Sequence, residues 1–544
     1  MTSRSLGHRA PLLWLVLPLI GGLMLGREWI AAGSASLLLP AVLLIATAWR
    51  SAESRPFVWG AAISGAMLLA GLVLHRQQRM RPPGWDGLPP REARLELRIE
   101  HLFPTRDAAK VTGLGTVRAA AAPLGELAGQ RVYFSLARGR SGPEPIRSAT
   151  IAAVGLFEPL PLRSPTNTFE GYLASTGANF RLRRGRVLAA LSPPSAYHRF
   201  CAQMAERFHA ILGEGIETKQ PRLAALLRAM MLGTTQELSE EQRTLFMQSG
   251  TMHLFAISGL NIGVVAVALE SLLRLARLPI VARFVAGTTL LWLFVDITGG
   301  SPSAVRAFIM TAFLLAARVL RRPGNPFAAL AASALVVLLI APLQVFGASF
   351  LMSYGIVAAL FLLGLPLAEM WQERWALWRN LPPAAWLGWQ KQLDGIWRKT
   401  LASVALGISA TLVSFVTGVE FFGLVTPGSL LLNLALIPAA TVATIGGFAA
   451  LISGLLGGHA AVTLCNHAAA LMLFGIEALV RESVNLPGSA VPAQFSAPWI
   501  GRTTLALLFA TLAAGYALRW RNPLRWWPPF AVVAVTLTLG VRYG

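Results

Sequence analysis

The sequence predicts an α-helical polytopic membrane protein carrying a small all-β domain between its third and fourth spans. Three observations carry this. The 544 residues are 55% hydrophobic and only 13% charged, and their mean hydropathy is +0.57, a balance that excludes an ordinary soluble enzyme. Apolar runs of bilayer-crossing length recur at both ends of the chain. One stretch, 76–200, has none and instead alternates polar and apolar residues as strands do.

The first run, Pro11–Gly26, has a basic flank (Arg4, Arg9), as a signal peptide has. No small-residue cleavage site and soluble domain follow it, so it is read as a retained span. Ile30–Trp49 and Phe57–His75 complete an N-terminal unit, 1–75. Arg4, Arg9 and the Arg50–Arg55 loop place the N-terminus in the cytoplasm. Three crossings then put 76–200 outside.

In 76–200, strand-like runs cover Arg91–Glu100, Arg131–Leu136, Ala149–Phe157 and Phe180–Leu191, with Gly113, Gly115, Pro123, Gly129, Pro143 and Pro145 read as punctuation. Five or so short strands in about a hundred residues suggest a small OB-like barrel. The stretch carries 19 Lys/Arg against 9 Asp/Glu, densest at Arg181, Arg183, Arg184 and Arg186. A positive groove for a nucleic-acid backbone explains the excess; a solvated surface or contact with anionic lipid explains it equally. Strand alternation sends Arg181 and Arg183 to one face and Arg184 and Arg186 to the other.

Residues 201–250 read as amphipathic coupling helices lying at the surface, with a capping box at Ser239–Gln242. Spans then begin near His253, Ala282, Ser303, Phe327, Ala348, Leu401, Gly428 and Ala460 in a unit 251–482, and near Thr503 and Phe530 in 483–544. Arginines at 274, 277, 283, 318, 321, 322, 519, 521 and 525 fall on the cytoplasmic side of this count; Arg481 and Arg542 fit it poorly. Six tryptophans in Met370–Lys399 suggest a helix lying on the cytoplasmic surface.

The polar residues inside apolar runs are the candidate site. Ser249–Val265 sets His253, Ser258 and Asn261 in one apolar run, with His253 and Asn261 within roughly 80° of each other on a helix. Gly259 allows close backbone approach or a break. Helix packing explains this segment, and so does an inward face on a water-filled path. Asp296 and Arg306 flank a Gly/Pro turn, either as an ion pair closing a hairpin or with Arg306 turned toward a polyanion. Glu420 lies among apolar neighbours near a span end. Asn433 precedes Pro438 in a run read as a broken helix. Cys201 and Cys465 have no metal-type spacing.

Gly250-x-x-His253-Leu-x-Ala-Ile-Ser258-Gly259-Leu resembles the signature of the ComEC family, inner-membrane DNA-uptake channels of natural transformation; its members usually carry a second histidine at the position of Asn261. Ser303-x-x-Arg306-Ala, Phe346–Gly355, Thr426–Pro438, Thr168–Gly177 and the run Leu223–Leu238 are similar to further family segments. Together they cover roughly Leu223–Glu477 and Phe169–Phe180. The resemblance implies a channel for single-stranded DNA, with a pore around His253, Ser258, Gly259, Asn261, Arg306, Glu420 and Asn433 and strand capture at Arg181, Arg183, Arg184 and Arg186. It implies as partners single-stranded DNA and membrane lipid, with a cytoplasmic translocation motor, a separate nuclease and a periplasmic DNA receptor as candidates. Longer members end in a metallo-β-lactamase-like domain. No His-x-His-x-Asp-His exists here, so no metal, cofactor or catalytic residue is expected. A permease for a small or lipid-linked substrate and a membrane-anchored binding module are the alternative functions. Scattered barrel arginines favour either of these; a continuous positive face favours the channel.

Overall fold

The computed structural model describes residues 10–28, 35–51, 55–81, 85, 89–107, 109–120, 124–138, 145–162, 164–520 and 526–544. Arg4, Arg9, Arg521, Arg525, Pro123 and Pro143 lie outside the described residues. Three helices come first: α1 (Leu13–Glu28), α2 (Ala35–Ser51) and α3 (Pro56–Arg79).

Strands β1 (Arg91–Phe103), β2 (Lys110–Ala120), β3 (Arg131–Ala137), β4 (Thr150–Pro159) and β5 (Phe180–Ser192) close into one barrel in the order β1-β2-β3-β5-β4. Alternation drives the closure: Ala93, Leu95, Leu97 and Ile99 of β1 point inward to Phe134, Phe157, Phe180 and Leu182. A short helix, α4 (Phe169–Ser175), precedes β5 and is capped by Thr168 through the Gly171 amide at 3.1 Å. Gly113 and Gly115 are not punctuation. Both lie inside β2, where a Cβ on Gly113 would strike the His101 carbonyl and the Phe134 ring, and one on Gly115 would come within 2.9 Å of the Arg98 carbonyl. The missing side chains are what admit Phe134 to the barrel centre.

Next come α5 (Ala196–Gly213), α6 (Pro221–Leu232) and α7 (Glu240–Gln248), the last opened by the Ser239–Gln242 capping box. The expectation of surface-lying helices fails at α6. Every residue from Leu223 to Leu232 is buried, as in a helix enclosed on all sides. The one charge in that run, Arg228, is 4% exposed and pairs with Glu217 and, at 3.0 Å, with Glu237.

Ten helical segments follow, starting where the apolar runs place them: α8 (Gly259–Leu275), α9 (Ile280–Ile297), α10 (Pro302–Val319), α11 (Pro326–Ile340), α12 (Ala348–Ala359) continuing through a π turn into α13 (Leu365–Arg374), α14 (Gly388–Phe422), α15 (Ser429–Leu455), α16 (His459–Val484), α17 (Ile500–Ala517) and α18 (Trp527–Leu539). Among the described residues, nine helices are long and apolar enough to cross a membrane. The helix around Pro438 is continuous rather than broken. The tryptophan segment is a turn between α13 and α14, not one helix: Trp378 has φ 47° and meets Trp386 and Trp389, while Trp397 donates to the Trp375 carbonyl at 2.8 Å. An unforeseen three-stranded sheet, β6 (Leu424–Val425), β7 (Val491–Phe495) and β8 (Val541–Tyr543), ties together the segments that follow α14, α16 and α18.

The barrel side of the helical unit is fixed by side chains. Arg27 at the end of α1 donates to the Ser164 carbonyl at 2.9 Å, Arg79 at the end of α3 to the Ala178 carbonyl at 2.9 Å, and Thr166 to Glu420 near the end of α14 at 3.1 Å. Arg147 pairs with Asp296 at the end of α9. The arginine-bearing α8–α9 and α10–α11 turns therefore lie at the opposite end. Arg481, which fits the loop-charge count poorly, is paired with Glu241 at 3.0 Å and Glu477 at 3.4 Å; Arg542 is exposed on β8.

Candidate functional site

The signature segment is broken, not one helix. His253 sits in a single 3-10 turn, Met252–Leu254, and α8 begins only at Gly259. Ser258, with extended backbone, caps α8 by accepting from the Asn261 amide at 3.3 Å, and Ser303 of α10 donates to the Ile257 carbonyl at 2.6 Å. These two hydroxyls satisfy the polar backbone that a break exposes. His253 and Asn261 consequently do not share a helix face. His253 is exposed, with Nδ1 3.0 Å from the Gly250 carbonyl. Gly259 leads the break, but a Cβ there would meet Ala307 at 3.7 Å, an ordinary contact. The glycine the packing requires is Gly250, with φ 72° and the Thr426 hydroxyl 2.6 Å from any Cβ. This contact joins the signature to the Thr426–Pro438 run.

Asn261 is 4% exposed. Its amide donates to the Met230 carbonyl at 3.0 Å, and its oxygen accepts from Thr444 at 3.5 Å. Met230 lies in the last turn of α6, which ends at Gly233 in the left-handed region. Such a carbonyl has no helical donor of its own. Asn261 supplies one, and a neutral side chain that both donates and accepts suits an enclosed position.

Arg306 is 1% exposed, the largest of the fully buried side chains. The expected pair with Asp296 is absent: Asp296 is held by Arg147 at 2.5 Å, and Arg306 turns to the opposite side. It donates to Gln344 Oε1 at 3.2 Å, the Ser349 carbonyl at 2.8 Å, Ser349 Oγ at 2.5 Å and Ser353 Oγ at 2.9 Å. Ser349 and Ser353 are one turn apart on α12, so both face one guanidinium. Tyr354 and Ser333 extend the network, 2.8 Å apart. No carboxylate forms an ion pair with Arg306 among the described residues, and its Nε is buried without an acceptor. A cation enclosed by neutral oxygens alone is a costly arrangement unless a counter-charge arrives.

Glu420 is not brought near Arg306 or Asn261. It lies two residues from the end of α14, at the junction with the barrel linker, where Thr166 reaches it. Asn433 is half-buried on α15, and its Oδ1 is enclosed without a hydrogen-bond partner.

The barrel arginines divide differently from strict alternation. Arg184, at φ 52°, is the extra residue of a bulge in β5: Ser135 pairs with Arg183, and Leu136 with Gly185. The bulge restores phase, so Gly185 opposes the inward Leu136 and Arg186 returns to the outward side with Arg181 and Arg183. The expected assignment of Arg186 to the other face is thereby corrected. Arg181 is bound by Glu158 and, at 3.0 Å, by Glu170; Arg183 pairs with Glu158 at 2.5 Å. Arg184 and Arg186 remain exposed beside a groove of ≈ 640 Å³ that also includes Glu92, Gly155 and Gly185. A Cβ on Gly185 would strike the Val154 carbonyl, so the groove floor is bare backbone.

Sequence reasoning missed Arg228, although a lone arginine in the apolar run Leu223–Leu232 was a signal. It also missed Asn466, which donates to the Ile211 and Glu214 carbonyls at 2.7 and 2.9 Å. Among the described residues no group of three or more His, Cys, Asp or Glu is placed to hold a metal ion.

With this geometry in place, a family model described as Competence protein matches residues 230–521. ComE operon protein 3 of Bacillus subtilis (strain 168) is 30% identical over 144 residues, 26% of this chain and 18% of that protein. The chain therefore matches less than a fifth of that relative's length. No solved structure matches.

Proposed function

This chain belongs to the competence protein family, and from that premise we propose that it forms the inner-membrane route by which single-stranded DNA enters during natural transformation. The observation that carries the reading is Arg306: an enclosed guanidinium with no carboxylate partner among the described residues, held by hydroxyl, amide and carbonyl oxygens. For a passing strand, phosphate oxygens would have to replace these neutral acceptors, and guanidinium binds phosphate in two-pronged fashion. Arg184 and Arg186, without an ion-pair partner among the described residues and beside a groove floored by Gly155 and Gly185, supply a first contact for the strand. Their groove, which Glu92 also lines, is a local contact rather than a continuous positive face, so preference over a small-substrate permease or a non-transporting binding module rests on Arg306 and the family.

In this reading the barrel is periplasmic, and the arginine-bearing turns at 274–283 and 318–322 face the cytoplasm with the N-terminus. The chain makes and breaks no bonds. A cytoplasmic motor supplies the pull, a separate nuclease removes the other strand, and a periplasmic receptor delivers the duplex. Asn433 is assigned to the same route from the family resemblance of its Thr426–Pro438 run, and its enclosed oxygen has no hydrogen-bond partner among the described residues.

Uptake of labelled DNA by a deletion strain tests this. Wild type restores uptake, whereas Arg306→Gln, which keeps donors but loses the charge, restores roughly a tenth or less, the equivalent of about 1.4 kcal/mol. Normal uptake in the deletion strain overturns the proposal.

A further inference from the structure

At the end of the helical unit away from the barrel, α8, α9 and α10 line an open cavity of ≈ 340 Å³. Arg274, Arg283 and Arg318, one from each helix, converge on it, and Glu270 is the one carboxylate in its lining. Arg283 lies 3.3 Å and Arg274 3.5 Å from the same Glu270 oxygen. That oxygen is thus shared between two cations, and no ion pair neutralises Arg318 among the described residues. The Arg283 side chain is 18% exposed, and its Nε is buried with no hydrogen-bond partner. The first turn of α9 opens at the same cavity with Pro279 as its cap, so no side chain satisfies its leading amides. Three guanidiniums, one carboxylate and an uncapped helix start make a receptor for one anion.

The rest of the lining is apolar: Phe284 and Leu315 face the same space. Val281 and Val285 continue outward as exposed apolar surface on α9. A nucleic-acid backbone offers nothing to such walls. An amphiphile does, with its anionic head among the arginines and its chain along α9.

We propose that this cavity binds the phosphodiester headgroup of an acidic phospholipid, seating α8, α9 and α10 on the leaflet opposite the barrel. The site requires only that these helices cross a bilayer; it does not depend on what the protein transports.

The experiment uses the full chain in neutral phosphocholine micelles, and reads the thermal unfolding midpoint and lipid retention by native mass spectrometry. Phosphatidylglycerol is expected to raise the wild-type midpoint by roughly 3 °C and to be retained, whereas phosphatidylcholine of the same chain length is neither. Arg283→Gln and Arg318→Gln are expected to lose most of that shift, and Arg321→Gln, on the same turn but outside the cavity, to keep it. Arg318 is exposed, so its variant carries the test if Arg283→Gln does not fold. Two further arms separate the sources of phosphate. An equal shift with millimolar inorganic phosphate, or displacement of the lipid by a single-stranded oligonucleotide, overturns the lipid assignment. Equal response to phosphatidylglycerol and phosphatidylcholine overturns the site.

Discussion

Arg147, on the segment leading into the fourth barrel strand, holds the carboxylate of Asp296 at 2.5 Å. This pair decides two things together. It docks the barrel on the end of α9, and it takes from Arg306 the counter-ion that lies nearest in sequence. The Asp296 side chain is 6% exposed while that of Arg147 is 40% exposed, so the carboxylate depends on its partner more than the guanidinium does.

Arg147→Ala is expected to lower stability by about 2 kcal/mol, below the full cost of an orphaned buried charge because Arg147 is partly wet. Pairing it with Asp296→Asn recovers most of the loss. Protease susceptibility of the barrel, compared across the two single variants and the double, measures this.

Asn261→Ala leaves the Met230 carbonyl and the Thr444 hydroxyl enclosed without this partner, a loss of about 1–3 kcal/mol. Asn261→His keeps a donor and is expected to cost less. Thermal unfolding of the purified variants ranks them; equal midpoints for wild type and Asn261→Ala contradict the capping role.

Gly113→Ala forces the Phe134 ring and the His101 carbonyl aside and is expected to cost about 1–3 kcal/mol. Hydrogen exchange in the second and third strands reports it. Gly125→Ala, where nothing lies within 4 Å of a Cβ, is the tolerated comparison.

Burial, followed by the charge of Arg147, holds the His101 imidazole below its ordinary value of 6.5. The folded barrel therefore disfavours a proton that the unfolded chain accepts. Its stability is full above pH 6.5 and declines as pH falls below it. His101→Gln is expected to flatten the pH 7 to pH 5 decline in barrel protection.

Much of this architecture is written in the order of residues, and the gaps have identifiable causes. Long apolar runs locate the helices, and β1 alternates so regularly that its inward face is legible. Ser239 and Gln242 declare the start of α7. The bulge at Arg184 is invisible because three arginines and one glycine at 183–186 have no polarity contrast from which a phase shift is readable. Helix α6 looks amphipathic because Arg228 interrupts it, and only tertiary structure shows Glu217 and Glu237 neutralising that charge. Asp296 and Arg306 lie near each other in sequence and suggest a pair; the barrel, more than a hundred residues upstream, intervenes. Strands of two, five and three residues at β6, β7 and β8 are too short to carry a period.

Arg184→Ala with Arg186→Ala is expected to weaken single-strand binding by the full-length protein and to reduce its salt slope by about 1–2. Arg181→Ala instead removes one of the two arginines on Glu158 and the arginine on Glu170, and shifts barrel stability. Anisotropy of a labelled oligonucleotide across a salt series separates the two effects.

The most direct test of a strand path past Arg306 is a photo-crosslink from residue 353, whose hydroxyl lies 2.9 Å from that guanidinium, to a labelled strand stalled during uptake. The account predicts adducts from position 353 and from position 186 on the barrel, both lost when the strand is chased through. Adducts at 186 with none at 353 would contradict it.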